Sequence, residues 1–135
     1  RWPTTAGVRW LVPGSWGVGR EDMAALEALP MNFTDLLRSV DAVLTKPGYG
    51  TFTEAACNGT PVLYVRRDDW PEQDCLIDWL RENARCSELE ECTLLSRSMR
   101  SLLDALWAQS APPLPRPDGA AVAAELIAGR LPSRS

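Results

Sequence analysis

Histidine is absent from this 135-residue sequence, and lysine occurs once, at position 46. Because histidine is the commonest general base in enzymes, a histidine base would have to come from another chain or domain. The four cysteines include no C-x-x-C pair, and without histidine they lack the partners of a mixed zinc site. We therefore expect reduced thiols, a cytoplasmic location, no bound metal and no cofactor.

The sequence also lacks a long hydrophobic run and an excess of positive charge. No apolar stretch approaches the ~18 residues that a membrane-spanning helix needs. The formal net charge of −4 argues against nucleic acid or an anionic membrane as the main partner. The first residues show neither a signal-peptide pattern nor an initiator methionine, so we expect a piece of a longer protein.

Short apolar segments alternate with segments of helical periodicity along the chain. The predicted strands are residues 8–12, 41–46 and 61–65. The predicted helices are residues 21–29, 33–39, 51–58, 72–83, 93–107 and 119–128. Strands that are apolar on both faces are typical of covered parallel sheets. The pattern therefore predicts an α/β fold, a Rossmann-like parallel sheet flanked by helices.

The chain divides at a proline-rich segment. Residues 1–110 form the predicted α/β domain, and residues 111–117, A-P-P-L-P-R-P, form an extended connector. In residues 118–135 we expect a helix, capped by Asp118, that packs on the domain and ends in a frayed tail.

The second predicted strand runs directly into the turn K-P-G-Y-G-T, residues 46–51, and then into a helix. Ligands bind outside the carboxyl ends of parallel strands, so this turn lies where a ligand is expected. Gly48 and Gly50 allow a sharp turn and close approach of a ligand. The N–H groups of the helix, with the Thr51 hydroxyl, are suited to a phosphate. The alternative is an ordinary strand–helix turn, because neither the P-loop pattern nor G-x-G-x-x-G is present.

Glu54 has two interpretations. In T-F-T-E, residues 51–54, it completes a capping box, in which Thr51 and Glu54 accept from each other's backbone N–H groups. One turn into the helix, the same carboxylate is equally suited to accept hydrogen bonds from a ribose diol.

The segment R-R-D-D-W-P-E-Q-D, residues 66–74, follows the third predicted strand and is expected at the same edge. Arg66 and Arg67 are candidates for binding phosphate, and Glu72 and Gln73 for binding sugar hydroxyls. The alternative is a solvated loop of mutually neutralising charges, in which Glu72 only favours the start of a helix.

Residues 41–65, D-A-V-L-T-K-P-G-Y-G-T-F-T-E-A-A-C-N-G-T-P-V-L-Y-V, and the later E-Q pair resemble the donor-binding half of GT-B glycosyltransferases. The segment is similar to the family of the bacterial peptidoglycan GlcNAc transferase. Around K-P-G-Y-G-T and R-R-D it is also similar to the N-terminal glycosyltransferase-like region of plant L-arabinokinase. The resemblance is dense over residues 41–73 and thin elsewhere.

This resemblance implies that the domain is one half of a GT-B architecture and binds a nucleoside diphosphate sugar, linked to UDP, as donor substrate. The implied ligands of the diphosphate, the ribose and the sugar are, in that order, Gly48, Tyr49, Gly50 and Thr51; Glu54; and Glu72 and Gln73. More weakly, the resemblance places the base near residues 31–33.

Two departures from the family bear on function. Leu76 or Ile77 stands where, in the family, an asparagine often follows the glutamine by a few residues. The resemblance therefore does not specify the identity of the donor sugar. The family's acceptor site and catalytic base lie in an N-terminal domain outside this sequence. We therefore expect metal-independent sugar transfer only with that domain or a partner subunit, and no catalytic residue here. The alternatives are a non-catalytic nucleotide-sugar-binding module or subunit, and an inactive domain that only packs against a neighbour. For the latter, we expect some of the tryptophans in predicted loops to be exposed: Trp2, Trp16 and Trp70.

Overall fold

Within residues 4–90 and 99–130, which the computed structural model describes, five strands and five α-helices occur. The strands are β1 (Trp10–Val12), β2 (Met23–Ala25), β3 (Val43–Thr45), β4 (Val62–Tyr64) and β5 (Cys86–Glu88). The helices are α1 (Phe33–Ser39), α2 (Tyr49–Asn58), α3 (Gln73–Asn83), α4 (Met99–Trp107) and α5 (Gly119–Ala128). Parallel pairing joins β1 to β2 in one sheet and β3, β4 and β5, in that order, in another. The predicted α/β fold is confirmed: short parallel sheets flanked by helices, compatible with a Rossmann-like arrangement.

β4 is the middle strand of the second sheet, and all three of its residues are buried. Val62 and Tyr64 pack in one hydrophobic cluster with Phe52 of α2. Leu63 packs in a second cluster with Leu106 of α4. Because successive side chains of a strand point to opposite faces, the two clusters lie on the two sides of the sheet. Helices therefore cover both faces, which explains why β4 is apolar throughout.

Two strands do not follow the sequence prediction. The helix predicted over residues 21–29 is wrong, because that segment forms β2 and then the 3₁₀ turn Leu26–Ala28. Its backbone pairs with β1, beginning with a 2.7 Å hydrogen bond from the Trp10 N–H to the Asp22 carbonyl. β5 carries no strand pattern of its own and was not predicted. In both cases pairing with a neighbouring strand decides the conformation, rather than local propensity.

The helices flanking β3 and β4 begin and end on recognisable residues. Asn32 caps α1 by accepting a 2.9 Å hydrogen bond from the Asp35 N–H. Gly59 ends α2 in the left-handed conformation, with φ of 70°. The Thr60 N–H then bonds the Ala55 carbonyl at 2.9 Å, which closes the helix end in a Schellman arrangement. Three residues therefore separate the end of α2 from the start of β4.

The C-terminal part follows the predicted order. Residues 111–117 form neither helix nor strand, as expected for the proline-rich connector. α5 follows, and every one of its residues is exposed, so its packing on the domain stays a prediction. The predicted frayed tail, Cys92 and residues 93–98 of the helix predicted over 93–107 lie outside the described residues. In the described part of the chain, no helix is long and apolar enough to cross a membrane.

Candidate functional site at the carboxyl edge of β3 and β4

The turn after β3 and the loop after β4 meet at one edge of the sheet. β3 and β4 are parallel neighbours, so their carboxyl ends point the same way. The Tyr49 ring lies edge-on to the Trp70 ring, with 5.6 Å between the ring centroids. The Tyr49 hydroxyl donates to Oε2 of Glu72 over 3.5 Å, a long contact for this pair of groups. The structure thus brings together the two segments that the sequence placed at this edge.

α2 opens at this edge without a side-chain cap. It begins at Tyr49, with Gly48 as the residue before it, two residues earlier than predicted. Its first backbone hydrogen bond runs from the Phe52 N–H to the Gly48 carbonyl at 3.1 Å. The N–H groups of Tyr49, Gly50 and Thr51 precede that bond and have no partner within the helix. Together with the positive end of the helix dipole, they are chemically suited to an anion.

The two glycines of the turn are not needed by its backbone. Gly48 has φ of −167°, an extended conformation that any residue adopts. Gly50 lies in the first turn of α2, and a Cβ added there would meet nothing within 4 Å. Both glycines are compatible with the turn, as predicted, but its backbone does not require a glycine at either position. What the structure does show is open space beside Gly50, which is the condition for close approach of a ligand.

The capping interpretation of Glu54 is wrong. Because α2 begins at Tyr49, Thr51 lies inside the helix rather than at its cap. Among the described residues, no side chain caps this helix. Thr53 instead donates to the Tyr49 carbonyl at 2.7 Å within the helix. The Glu54 carboxylate is partly exposed and bonds to no side chain or backbone group in residues 4–90 and 99–130. It remains able to accept hydrogen bonds from a ligand.

Arg66 is engaged by carboxylates. It donates to Asp74, and its Nε lies 3.0 Å from Oε1 of Glu88. The hydrogen bond to Asp74, followed by that to Glu88, raises the pKa of the Arg66 guanidinium. Arg66 therefore joins the start of α3 to the end of β5. A phosphate at Arg66 would have to compete with two carboxylates.

Arg67 is held in place by three contacts. Its guanidinium donates to both carboxylate oxygens of Asp69, at 3.1 and 3.2 Å, and lies 5.7 Å from the centroid of the Trp70 ring. The hydrogen bond from Arg67 lowers the pKa of Asp69, and nearby Lys46 contributes to the same shift. These contacts agree with the alternative interpretation of mutually neutralising charges in this loop.

Gln73 is a buried residue that binds the backbone of the loop after β4. It is only 8% exposed, although it is polar. Its Oε1 accepts from the Arg67 N–H at 2.9 Å, and its Nε2 donates to the Arg67 carbonyl at 2.5 Å. Because both ends of the amide are engaged, Gln73 fixes the position of the loop. Its predicted contact with a sugar stays a prediction, whereas Glu72 is exposed beside Tyr49.

The other residues singled out from the sequence are Asn32 with its neighbours and the loop tryptophans. Asn32 is used as the cap of α1, while Met31 and Phe33 on either side of it are exposed. Trp16 is 63% exposed, as the docking alternative expected of some loop tryptophans, and Trp2 lies outside the described residues. Trp70, by contrast, is partly buried against the core. Trp70 was not predicted as a site residue, although an aromatic residue in the loop after β4 was a signal for it.

Comparison with protein-family models, with curated proteins and with solved structures finds no match to this chain.

Proposed function

We propose that this chain is the donor-binding half of a GT-B glycosyltransferase that binds a nucleoside diphosphate sugar, UDP-linked, at the carboxyl edge of β3 and β4. The observation that carries the proposal is the uncapped start of α2. Its free N–H groups at Tyr49, Gly50 and Thr51 lie directly after β3, next to the open space at Gly50. This combination suits a diphosphate, because the helix end supplies both donors and positive potential.

One basic side chain of the edge, Lys46, is available to an anionic ligand. Arg66 and Arg67 are each bonded to carboxylates, whereas the exposed Lys46 forms no ion pair with a described residue. In the proposed reaction, the helix end and Lys46 stabilise the negative charge of the departing diphosphate without a metal ion. The acceptor and the general base belong to a second domain or a partner subunit.

Glu54 is the proposed ribose ligand. It lies on α2, and its carboxylate makes no contact with a described residue that would have to break before it accepted two ribose hydroxyls. Removing a charged hydrogen-bonding group of this kind costs roughly a 10- to 100-fold loss of affinity. Glu82, an exposed glutamate on α3, offers a control substitution of the same type.

The proposal is tested by calorimetric titration of the 135-residue chain with UDP, UDP-GlcNAc and GDP. We expect UDP to bind more tightly than GDP, with about a 10- to 100-fold loss in Glu54→Ala and none in Glu82→Ala. Thr51→Ala removes a neutral hydroxyl and should cost about a 2- to 10-fold loss. Circular dichroism establishes that each variant is folded. Equal binding by the wild type and Glu54→Ala, or no binding of any nucleotide by the folded wild type, would overturn the proposal.

A further inference from the structure

The Tyr49 side chain is an exposed aromatic group in the first turn of α2. It is 58% exposed, and its neighbours at this edge are the Trp70 ring and the Glu72 carboxylate. The family resemblance implies only a phosphate contact for Tyr49, and the proposed diphosphate site uses its backbone N–H for that contact. The proposed diphosphate site therefore gives the Tyr49 ring no function.

The ring is held by a chain of contacts that ends in the core. Trp70 meets it edge-on at 5.6 Å between centroids, and Trp70 packs against the buried cluster beneath. Arg67 lies over the Trp70 ring, and buried Gln73 fixes the Arg67 backbone through two hydrogen bonds. Aromatic pairs in an edge-on arrangement are mutually stabilising. Tyr49 is therefore a supported surface rather than a freely moving side chain.

The position of Tyr49 indicates which part of a donor it meets. Tyr49 and Glu54 are five residues apart on α2, so they point about 140° apart around the helix axis. With the diphosphate at the start of the helix and the ribose bound by Glu54, the group on the other phosphate would extend toward Tyr49 and the loop after β4. In a nucleoside diphosphate sugar, that group is the sugar.

We propose that the exposed ring of Tyr49, supported by Trp70, stacks against the C–H face of the donor's pyranose while Glu72 accepts from its hydroxyls. This inference rests on the proposed function and adds the sugar-contacting side chain to it. The chemistry fits a pyranose because one surface presents an apolar ring face and, 3.5 Å from its hydroxyl, a carboxylate. Ligand sites commonly combine an aromatic wall with a few placed polar groups. Tyr49 is then a specificity residue, and Trp70 is a positioning residue.

The test compares sugar-bearing and sugar-free nucleotide in the same variants. Calorimetry on the full 135-residue chain gives Kd for UDP, UDP-glucose, UDP-galactose and UDP-GlcNAc. For at least one sugar, we expect Tyr49→Ala to raise the ratio of Kd for UDP-sugar to Kd for UDP by about fivefold. Tyr49→Phe keeps the ring and should leave the ratio unchanged. Trp70→Leu should raise the ratio as Tyr49→Ala does, while the Kd for UDP stays the same.

Each other outcome overturns a definite part of this account. An unchanged ratio for all three sugars refutes the stacking and leaves the nucleotide site intact. An equal loss of UDP and UDP-sugar in Tyr49→Ala also refutes it, because the ring would then contact the nucleotide. No binding of UDP by the folded wild type overturns the proposed function, and the sugar contact falls with it.

Discussion

Gly50→Ala is expected to stabilise the fold while weakening nucleotide binding. Gly50 lies in the first turn of α2 with a helical backbone, and a Cβ there would meet nothing within 4 Å. Alanine restricts the unfolded chain and favours the helix, a gain of about 0.5–1 kcal/mol. For a domain of this size the gain corresponds to a rise in Tm of roughly 2–4 °C. The added methyl group occupies space proposed for the diphosphate, so the Kd for UDP should rise about tenfold.

The opposite end of the same helix provides the matched control. Gly59 has φ of 70°, and a Cβ there would lie 3.2 Å from Cδ2 of Leu114. Gly59→Ala is therefore expected to destabilise the fold by about 1–2 kcal/mol, since a left-handed conformation disfavours a Cβ. It should leave the Kd for UDP unchanged, because Gly59 is at the far end of α2 from the proposed site. Urea unfolding followed by circular dichroism, with calorimetric titration of UDP, measures both quantities.

The signs of the two effects make the reasoning refutable. If Gly50→Ala lowers Tm, then the fold itself requires a glycine at this position, and the glycine is no longer evidence for a ligand there. If Gly50→Ala raises Tm and leaves the Kd for UDP unchanged, then no ligand approaches the helix at this point.

Three further predictions follow from contacts in the fold. Gln73→Ala removes both hydrogen bonds to Arg67 and should lower the free energy of unfolding by about 1–3 kcal/mol. The control Glu72→Ala should change that free energy by less than about 0.5 kcal/mol. Equal urea midpoints for the two variants would contradict the prediction. The pKa of Glu27 is lowered by hydrogen bonds from its own backbone N–H and from the Gly14 N–H. The ionised Glu27 side chain should therefore stabilise the fold fully at pH values well above 4.5, and this stabilisation should be lost as the pH falls below that range. The difference in urea midpoint between wild type and Glu27→Gln at pH 7, 5 and 3 measures that loss, and a difference that grows toward pH 3 would show the wrong sign. Burial raises the pKa of Cys86, so alkylation at pH 8 should label exposed Cys75 well before Cys86, and equal rates on mass spectrometry would disprove the assignment.

The part of the fold from β3 to α3 was predictable because its signals are local. Apolar runs mark β3 and β4, Asn58-Gly59 marks the end of α2, and the spacing of Leu76, Ile77 and Leu80 marks the buried face of α3. β2 and β5 were not predictable in this way. Each is three residues long and exists because a neighbouring strand supplies its hydrogen bonds.

The position of the candidate site was predictable, but the state of its side chains was not. Parallel topology alone brings the turn after β3 and the loop after β4 to one edge. In contrast, the pairing of Arg66 with Glu88 joins residues 22 positions apart, across β4 and β5. The burial of Gln73 depends on how α3 packs beneath the loop. α2 begins at Tyr49, two residues before the predicted start, and this shift alone excludes the capping interpretation of Glu54.

The central claim is that the first N–H groups of α2 hold the diphosphate of a nucleotide. Titration of the ¹⁵N-labelled chain with UDP, followed by two-dimensional NMR, observes those groups directly. The account predicts that the amide signals of Tyr49, Gly50 and Thr51 shift most, along one saturable curve, and that equal concentrations of uridine leave them in place. UDP-induced shifts centred elsewhere, or no shifts from folded protein at millimolar UDP, would contradict it.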